Sequence, residues 1–131
     1  MDQRVAIKIA EKYVNHLRNN KFTVQKAYLF GSYVSGNYNE DSDIDLAIVM
    51  DTLPNSFTTQ VELMKISRKF DTRIEPHPFE ESDFNTTNPF ANEILKNGIR
   101  ITWEFMIPNL MVILKIAREE IMQKGINLDN L

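Results

Sequence analysis

The chain contains no cysteine, so neither a disulfide framework nor a thiolate metal site is open to it, and nothing ties it to an oxidising compartment. A cytoplasmic location is the expectation. It has no apolar run of the ~18 residues that a membrane-spanning helix needs. Its N-terminal stretch intersperses Asp2, Arg4, Lys8, Glu11 and Lys12 among apolar positions, unlike the apolar segment of a secretory signal. A surplus of positive charge is missing as well. The 15 Lys and Arg stand against 18 Asp and Glu, a net charge of -3, so no basic field gathers a long polynucleotide by counterion release. Neither a nucleic-acid nor a membrane partner is expected. Internal repeats, low-complexity tracts and Gly/Ser linkers are absent too. What remains is a chain of 131 residues, 43% hydrophobic and 25% charged, a length and balance that suit one folded domain around a single core.

Periodicity divides the chain into helices and strands. Val5, Ile9, Tyr13 and Leu17 recur every four residues, with Ala6, Ala10 and Val14 beside them, which predicts an amphipathic helix from Asp2 to about Asn19. Val24 to Phe30 is short, apolar and aromatic, and is closed by Gly31-Ser32; it reads as a strand entering a turn. Ile44 to Met50 is a second strand whose residues of both parities are largely apolar, so both its faces should be covered. Ser56 to Phe70 is predicted to be a helix capped by Ser56, with Val61, Met64, Ile66 and Phe70 buried. Asp71 to Glu75 is a third strand, stopped by Pro76 and Pro78, which lack the N–H a ladder needs. Pro89 opens a helix through Lys96, Gly98 is expected as its left-handed cap, and Ile99 to Trp103 is a last strand. Beyond Pro108, Leu110, Ile113, Leu114, Ala117 and Ile121 form one stripe of a terminal helix, while Met111, Val112 and Ile116 lie off it, more apolar surface than one contact requires. The order is α-β-β-α-β-α-β plus a C-terminal helix. This is an α/β (α+β) arrangement, with helices packed on a small mixed sheet.

The chemistry concentrates between the first two strands. Asp43 and Asp45 are two residues apart, and on a strand such residues project to one side roughly 6 to 7 Å apart along the backbone, close enough to converge on shared divalent ions. Two like charges at the start of a buried strand cost several kcal/mol unless a cation compensates them, so the pair implies a metal. Gly31 lets the backbone approach a polyphosphate, and the Ser32 hydroxyl, with the amides of the turn that follows, can donate to phosphate oxygens. On the third strand Asp71, Arg73 and Glu75 alternate onto one side. Alternation alone does not choose between the two acids.

Gly31-Ser32, ten intervening residues and Asp43-x-Asp45 resemble the signature of the polymerase-β-like nucleotidyltransferase superfamily, and Gly36 and Ser42 also match that pattern. The resemblance spans about residues 1–104, a minimal nucleotidyltransferase domain, and leaves 105–131 as an apolar helix belonging to the same domain or to an interface. It implies the nucleotidyltransferase fold, with Asp43, Asp45 and a third carboxylate as the catalytic, metal-holding acids. Asp71 is favoured for the third position, with Glu75 its rival. By the same resemblance Gly31 and Ser32 hold the β and γ phosphates, Ser42 and Arg73 assist, two Mg2+ ions are the cofactor, and a nucleoside triphosphate, ATP above all, is the substrate. Minimal members resemble the antitoxin half of toxin–antitoxin pairs whose toxin is all-helical, and some move AMP onto a tyrosine of that partner. The expected function is therefore transfer of a nucleoside monophosphate to a hydroxyl, with pyrophosphate released. By the same resemblance the chain is expected to lack the helical acceptor-binding domain of larger relatives. A partner protein, or a second copy docked through the terminal helix, would complete the site. The alternative is an antitoxin-like binding module whose nucleotide site is vestigial.

Other polar and aromatic residues read more plainly. His77, between two prolines, is taken as a solvated or capping histidine and His16 as helix surface. Glu40 and Asp41, and the cluster of Glu80, Glu81 and Asp83, are solvated charge. Tyr33 and Tyr38 pack over their own loop, and Trp103 is core or interface.

Overall fold

The computed structural model describes residues 2–101, 117–121 and 123. Four strands, β1 (Val24–Phe30), β2 (Ile44–Met50), β3 (Ile74–Glu80) and β4 (Ile99–Arg100), form one sheet in the order β3-β2-β1-β4. β2 is antiparallel to β1 and parallel to β3, and β4 is antiparallel to β1. This is the mixed sheet that the pattern of elements predicts. The helices are α1 (Gln3–Asn19), the single turn α2 (Ser32–Ser35), α3 (Ser56–Ser67) and α4 (Pro89–Asn97), with a 3-10 turn at Glu81–Asp83.

β1 and β2 occupy the predicted residues, and β2 is covered on both faces as its composition demands. On one face Leu29, Ile44, Leu46 and Ile48 pack under α1 and Leu63 of α3; on the other Tyr28, Ala47 and Val49 meet Phe84 and Ala91 and Ile94 of α4. Each fully buried Leu or Ile side chain contributes about 1.5–3 kcal/mol relative to exposure, so these two layers fix the register of the central strand. The Tyr13 hydroxyl, buried and with its pKa pushed upward by that burial, donates to the Leu63 carbonyl at 2.9 Å and ties α1 to α3.

Several expectations are corrected. The buried face of α1 centres on Ala6, Ala10, Tyr13, Val14 and Leu17, with Val5 left 45% exposed, because two alanines let the helix approach the sheet closely. α3 is capped by Asn55, whose side chain accepts from the Thr58 amide at 3.0 Å, and ends at Ser67. Leu63 and Ser67 are its buried residues, while Val61 is exposed and Met64, Ile66 and Phe70 are half-buried; apolar residues surround this helix, so periodicity could not choose a face. β3 starts at Ile74 and runs through both prolines to Glu80. It is the sheet edge among the described residues, and the Ile44 amide bonding to the Arg73 carbonyl at 2.8 Å sets a parity in which Pro76 and Pro78 face away from β2, where no ladder N–H is needed. Gly98 is extended, with φ -71 and ψ 158, rather than left-handed. It is required by crowding: a Cβ there would stand 2.5 Å from the Ile94 carbonyl oxygen.

The fourth strand is described as far as Arg100, and Ile101 still donates to the Ala27 carbonyl at 2.9 Å. Residues 117–121 are helical, with Ala117 exposed. The remainder of the expected terminal helix, including Leu110, Ile113 and Leu114, and also Trp103 and the boundary at 104, lies outside the described residues. Among the described residues no helix is long and apolar enough to cross a membrane.

Candidate active site

β1 ends against a turn that only glycine can make. Gly31 has φ 79 and ψ -146, and a Cβ there would lie 2.5 Å from Asp45 Oδ2, so the position needs both the conformational freedom and the missing side chain. The Val34 and Ser35 amides donate back to the Gly31 carbonyl at 3.0 Å, and Gly36, at φ 90, closes the turn with its amide on the Ser32 carbonyl at 3.1 Å. Tyr33 is fully buried and stacks on Tyr38 at 4.7 Å, the intraloop packing that its position suggests. The Ser42 hydroxyl accepts from the Asn39 amide at 2.8 Å, bracing the loop that delivers Asp43 to the head of β2.

The sheet register assembles the acids. Phe30 of β1 is opposite Asp45 of β2, and Asp45 is opposite Glu75 of β3, so the two carboxylates project side by side from the face that α4 covers farther along. Asp43 joins them from just before β2. Burial pushes the Glu75 carboxyl above its usual range, reinforced by a hydrogen bond with Asp43 and by the charges of Asp45 and Asp43, and opposed by His77. Asp71 is elsewhere. It precedes β3 and is bound by Arg73, whose Nη2 and Nε donate to its two oxygens at 2.6 and 2.9 Å. That hydrogen bonding holds the Asp71 carboxyl below the usual carboxylate range. Arg73 also donates to the Glu40 carbonyl at 3.1 Å, so the pair clamps the start of β3 to the loop before β2. Of the residues expected from sequence, the fold thus brings together Gly31, Asp43 and Asp45 with Glu75, sets Ser32 at the start of the adjoining turn, and engages Ser42, Asp71 and Arg73 in loop-bracing contacts.

His77, expected from the sequence to be a solvated or capping histidine, stands beside the acids. Two positions beyond Glu75, it shares that residue's face, its Nε2 is 3.2 Å from Asp45 Oδ1, and its ring packs on Phe30 with centroids 5.1 Å apart. Ligand atoms of Asp45, Glu75 and His77 lie within 4.8 Å of one another. The signal was available in the alternation of Glu75 and His77, but it required reading β3 through its prolines. Oxygen and nitrogen donors, with a half-buried Glu75 whose charge is disfavoured, fit a hard or borderline divalent cation that would relieve the repulsion.

Beside Gly31 opens a pocket of ≈ 520 Å³ between α2 and α4, walled by Phe30, Val34, Phe90 and Ile94, with Glu93 and Asn97 at its polar side. Its volume is within the about 300–1,000 Å³ of small-molecule sites.

Known proteins share the sequence pattern and the fold. The sequence model of the family described as "Polymerase beta, Nucleotidyltransferase" matches residues 11–104. A Methanocaldococcus jannaschii protein provisionally named a protein adenylyltransferase is 28% identical over 99 residues, which covers 72% of this chain and 94% of that one. Among solved structures, a provisionally assigned nucleotidyltransferase of Sulfolobus solfataricus superimposes with a TM-score of 0.54 at 21% identity, covering 75% of this chain and 80% of the other; it shares the fold. A toxin–antitoxin structure with AMP-PNP contains a chain that superimposes with a TM-score of 0.52 at 25% identity, over 87% of this chain and 95% of its own.

Proposed function

The chain belongs to the polymerase beta nucleotidyltransferase family, and from that membership we propose that it transfers AMP from ATP to a hydroxyl of a partner protein, a tyrosine being the favoured acceptor. The carrying observation is the convergence of Asp43, Asp45 and Glu75 beside the Gly31 turn. The Methanocaldococcus relative named for protein adenylylation and the AMP-PNP of the toxin–antitoxin neighbour support the nucleotide and the class of acceptor.

In this reading Asp43, Asp45 and Glu75 are the carboxylates, and Glu75 takes the place that Asp71 was expected to fill. A pair of divalent ions, Mg2+ in the ordinary case, would supply charge neutralisation and lower the pKa of the acceptor hydroxyl. The Gly31 turn, with Ser32, receives the β and γ phosphates, and the purine enters the adjoining pocket against Phe30 and Phe90. The acceptor oxygen bonds to the α-phosphorus as the bond from that phosphorus to the bridging oxygen breaks. The hydroxyl gives up its proton to solvent water, and pyrophosphate leaves. Arg73 and Asp71 hold the strand start and loop in register for this work. Positioning and charge stabilisation suffice, and no covalent enzyme intermediate is needed.

The test is incubation with α-labelled ATP, Mg2+ and the protein encoded beside this chain. Label should pass to protein, and the transfer should be lost in Asp43→Asn/Asp45→Asn and in Glu75→Gln but only weakened in Asp71→Asn, which loosens the clamp on the loop. Loss in Asp71→Asn alone would return the third carboxylate to Asp71. A second reading, an antitoxin-like module without transfer, draws on the same neighbour; it requires partner binding that survives Asp43→Asn/Asp45→Asn while no label moves.

A further inference from the structure

His77 is set in the carboxylate site by features that a solvated histidine does not need. It is opposite Ala47 in the register of β2 and β3, so a small side chain leaves room for the imidazole to lean toward Asp45. Phe30 and Phe90 hold the ring, with centroids 5.1 and 6.1 Å away, which fixes its plane. Nε2 then lies 3.2 Å from Asp45 Oδ1, and a Glu75 oxygen completes a triangle whose atoms are all within 4.8 Å. Two donors in neighbouring positions on one ion, with bonds of about 2.1 Å at right angles, stand about 3 Å apart. The imidazole and Asp45 have that spacing already.

We propose that His77 is a nitrogen ligand to the divalent ion held by Asp45 and Glu75, and that it biases this position toward a first-row transition ion such as Mn2+ over Mg2+. The proposal rests on the adenylyl-transfer reading only in placing an ion between those carboxylates. An all-oxygen site suits Mg2+, whereas an imidazole donor adds affinity along the transition series. The aromatic walls keep the ring from rotating away, so the nitrogen is preorganised for binding.

The experiment is pulsed electron paramagnetic resonance on the full chain, stripped with chelator and loaded with Mn2+. Expected are a site lost in Asp45→Asn, 14N modulation from a bound imidazole in the wild type, and loss of that modulation in His77→Phe and His77→Gln. Mn2+ affinity should fall about tenfold or more in both variants, in the range found when the support of a metal site is altered, while Mg2+ affinity, read by competition, falls less. The wild-type spectrum decides the matter even if a variant folds poorly. An Asp45-dependent Mn2+ signal without 14N modulation would overturn the proposal and leave adenylyl transfer standing, as would equal loss of Mn2+ and Mg2+ affinity in the variants. Absence of any Asp45-dependent Mn2+ uptake would overturn both.

Discussion

Replacing Gly31 with alanine should separate the structural from the chemical demands on the Gly-Ser turn. The new Cβ would lie 2.5 Å from Asp45 Oδ2, so the carboxylate must retreat by about 1 Å to regain ordinary van der Waals separation. A misplacement of that size in a reacting assembly costs about a hundredfold in rate. Alanine at φ 79 and ψ -146 is also strained, by about 1–3 kcal/mol, which lowers Tm by roughly 4 °C per kcal/mol in a chain of this size. Gly36→Ala is the control. Its φ is 90, but a Cβ there meets nothing within 4 Å, so it should lose about 1–2 kcal/mol from left-handed strain alone and keep its carboxylates in place. Tm by scanning calorimetry, AMP transfer, and the Tm rise on adding divalent ion should be measured on both. The two variants should melt alike, yet only Gly31→Ala should lose transfer and the ion-induced rise. If Gly31→Ala transferred AMP as well as Gly36→Ala does, the close approach of Gly31 to Asp45 would have no catalytic meaning and the reasoning would fail.

Glu75→Gln should raise the Tm of the chelator-treated protein at neutral pH. The folded pKa of Glu75 lies above the unfolded value of 4.5, so its ionised form opposes folding and stability grows as pH falls through the folded pKa toward 4.5; the same variant should lose the Tm rise that divalent ion gives the wild type. Asp71 behaves oppositely. Its folded pKa is below the unfolded value of 3.8, so its contribution is present above that value and disappears as pH falls through the folded pKa. Acid denaturation followed by circular dichroism should therefore show a smaller loss below pH ~4 in Asp71→Asn than in wild type. Gly98→Ala should destabilise by about 1–3 kcal/mol in urea melts, since the Cβ would meet the Ile94 carbonyl oxygen of α4 at 2.5 Å; an unchanged midpoint would mean that the helix end yields freely.

Sequence reasoning located the strands whose hydrophobic patterns were dense and bounded. β1 ended at Gly31-Ser32 and β2 at its apolar limits, and the Asp43-x-Asp45 pair stood out because two acids at the head of a buried strand are costly unless compensated. The third strand was misjudged for a physical reason. A proline forbids a central strand but not an edge, and nothing local to Pro76 and Pro78 reveals which they occupy. With the strand starting at Ile74, Glu75 pairs with Asp45 and Asp71 binds Arg73, a distinction that alternation along the strand could not draw because it sets both acids on one side. His77, beyond the strand end in that reading, lies within β3. Helix faces were less legible where apolar residues surround the axis, as in α3, or where alanines carry the closest contact, as in α1.

The prolines of β3 also govern how another protein can reach the carboxylates. Strand addition along a free edge needs outward amides, and Pro76 and Pro78 offer none there. The outward Pro76 carbonyl is already taken by the Gln60 side chain at 3.0 Å. A visiting chain thus finds no backbone template at the margin nearest Glu75. Under the proposed transfer, an acceptor protein would bring its hydroxyl in on a side chain reaching over the open face, so recognition would fall to side-chain chemistry, and this edge is protected from recruiting stray strands.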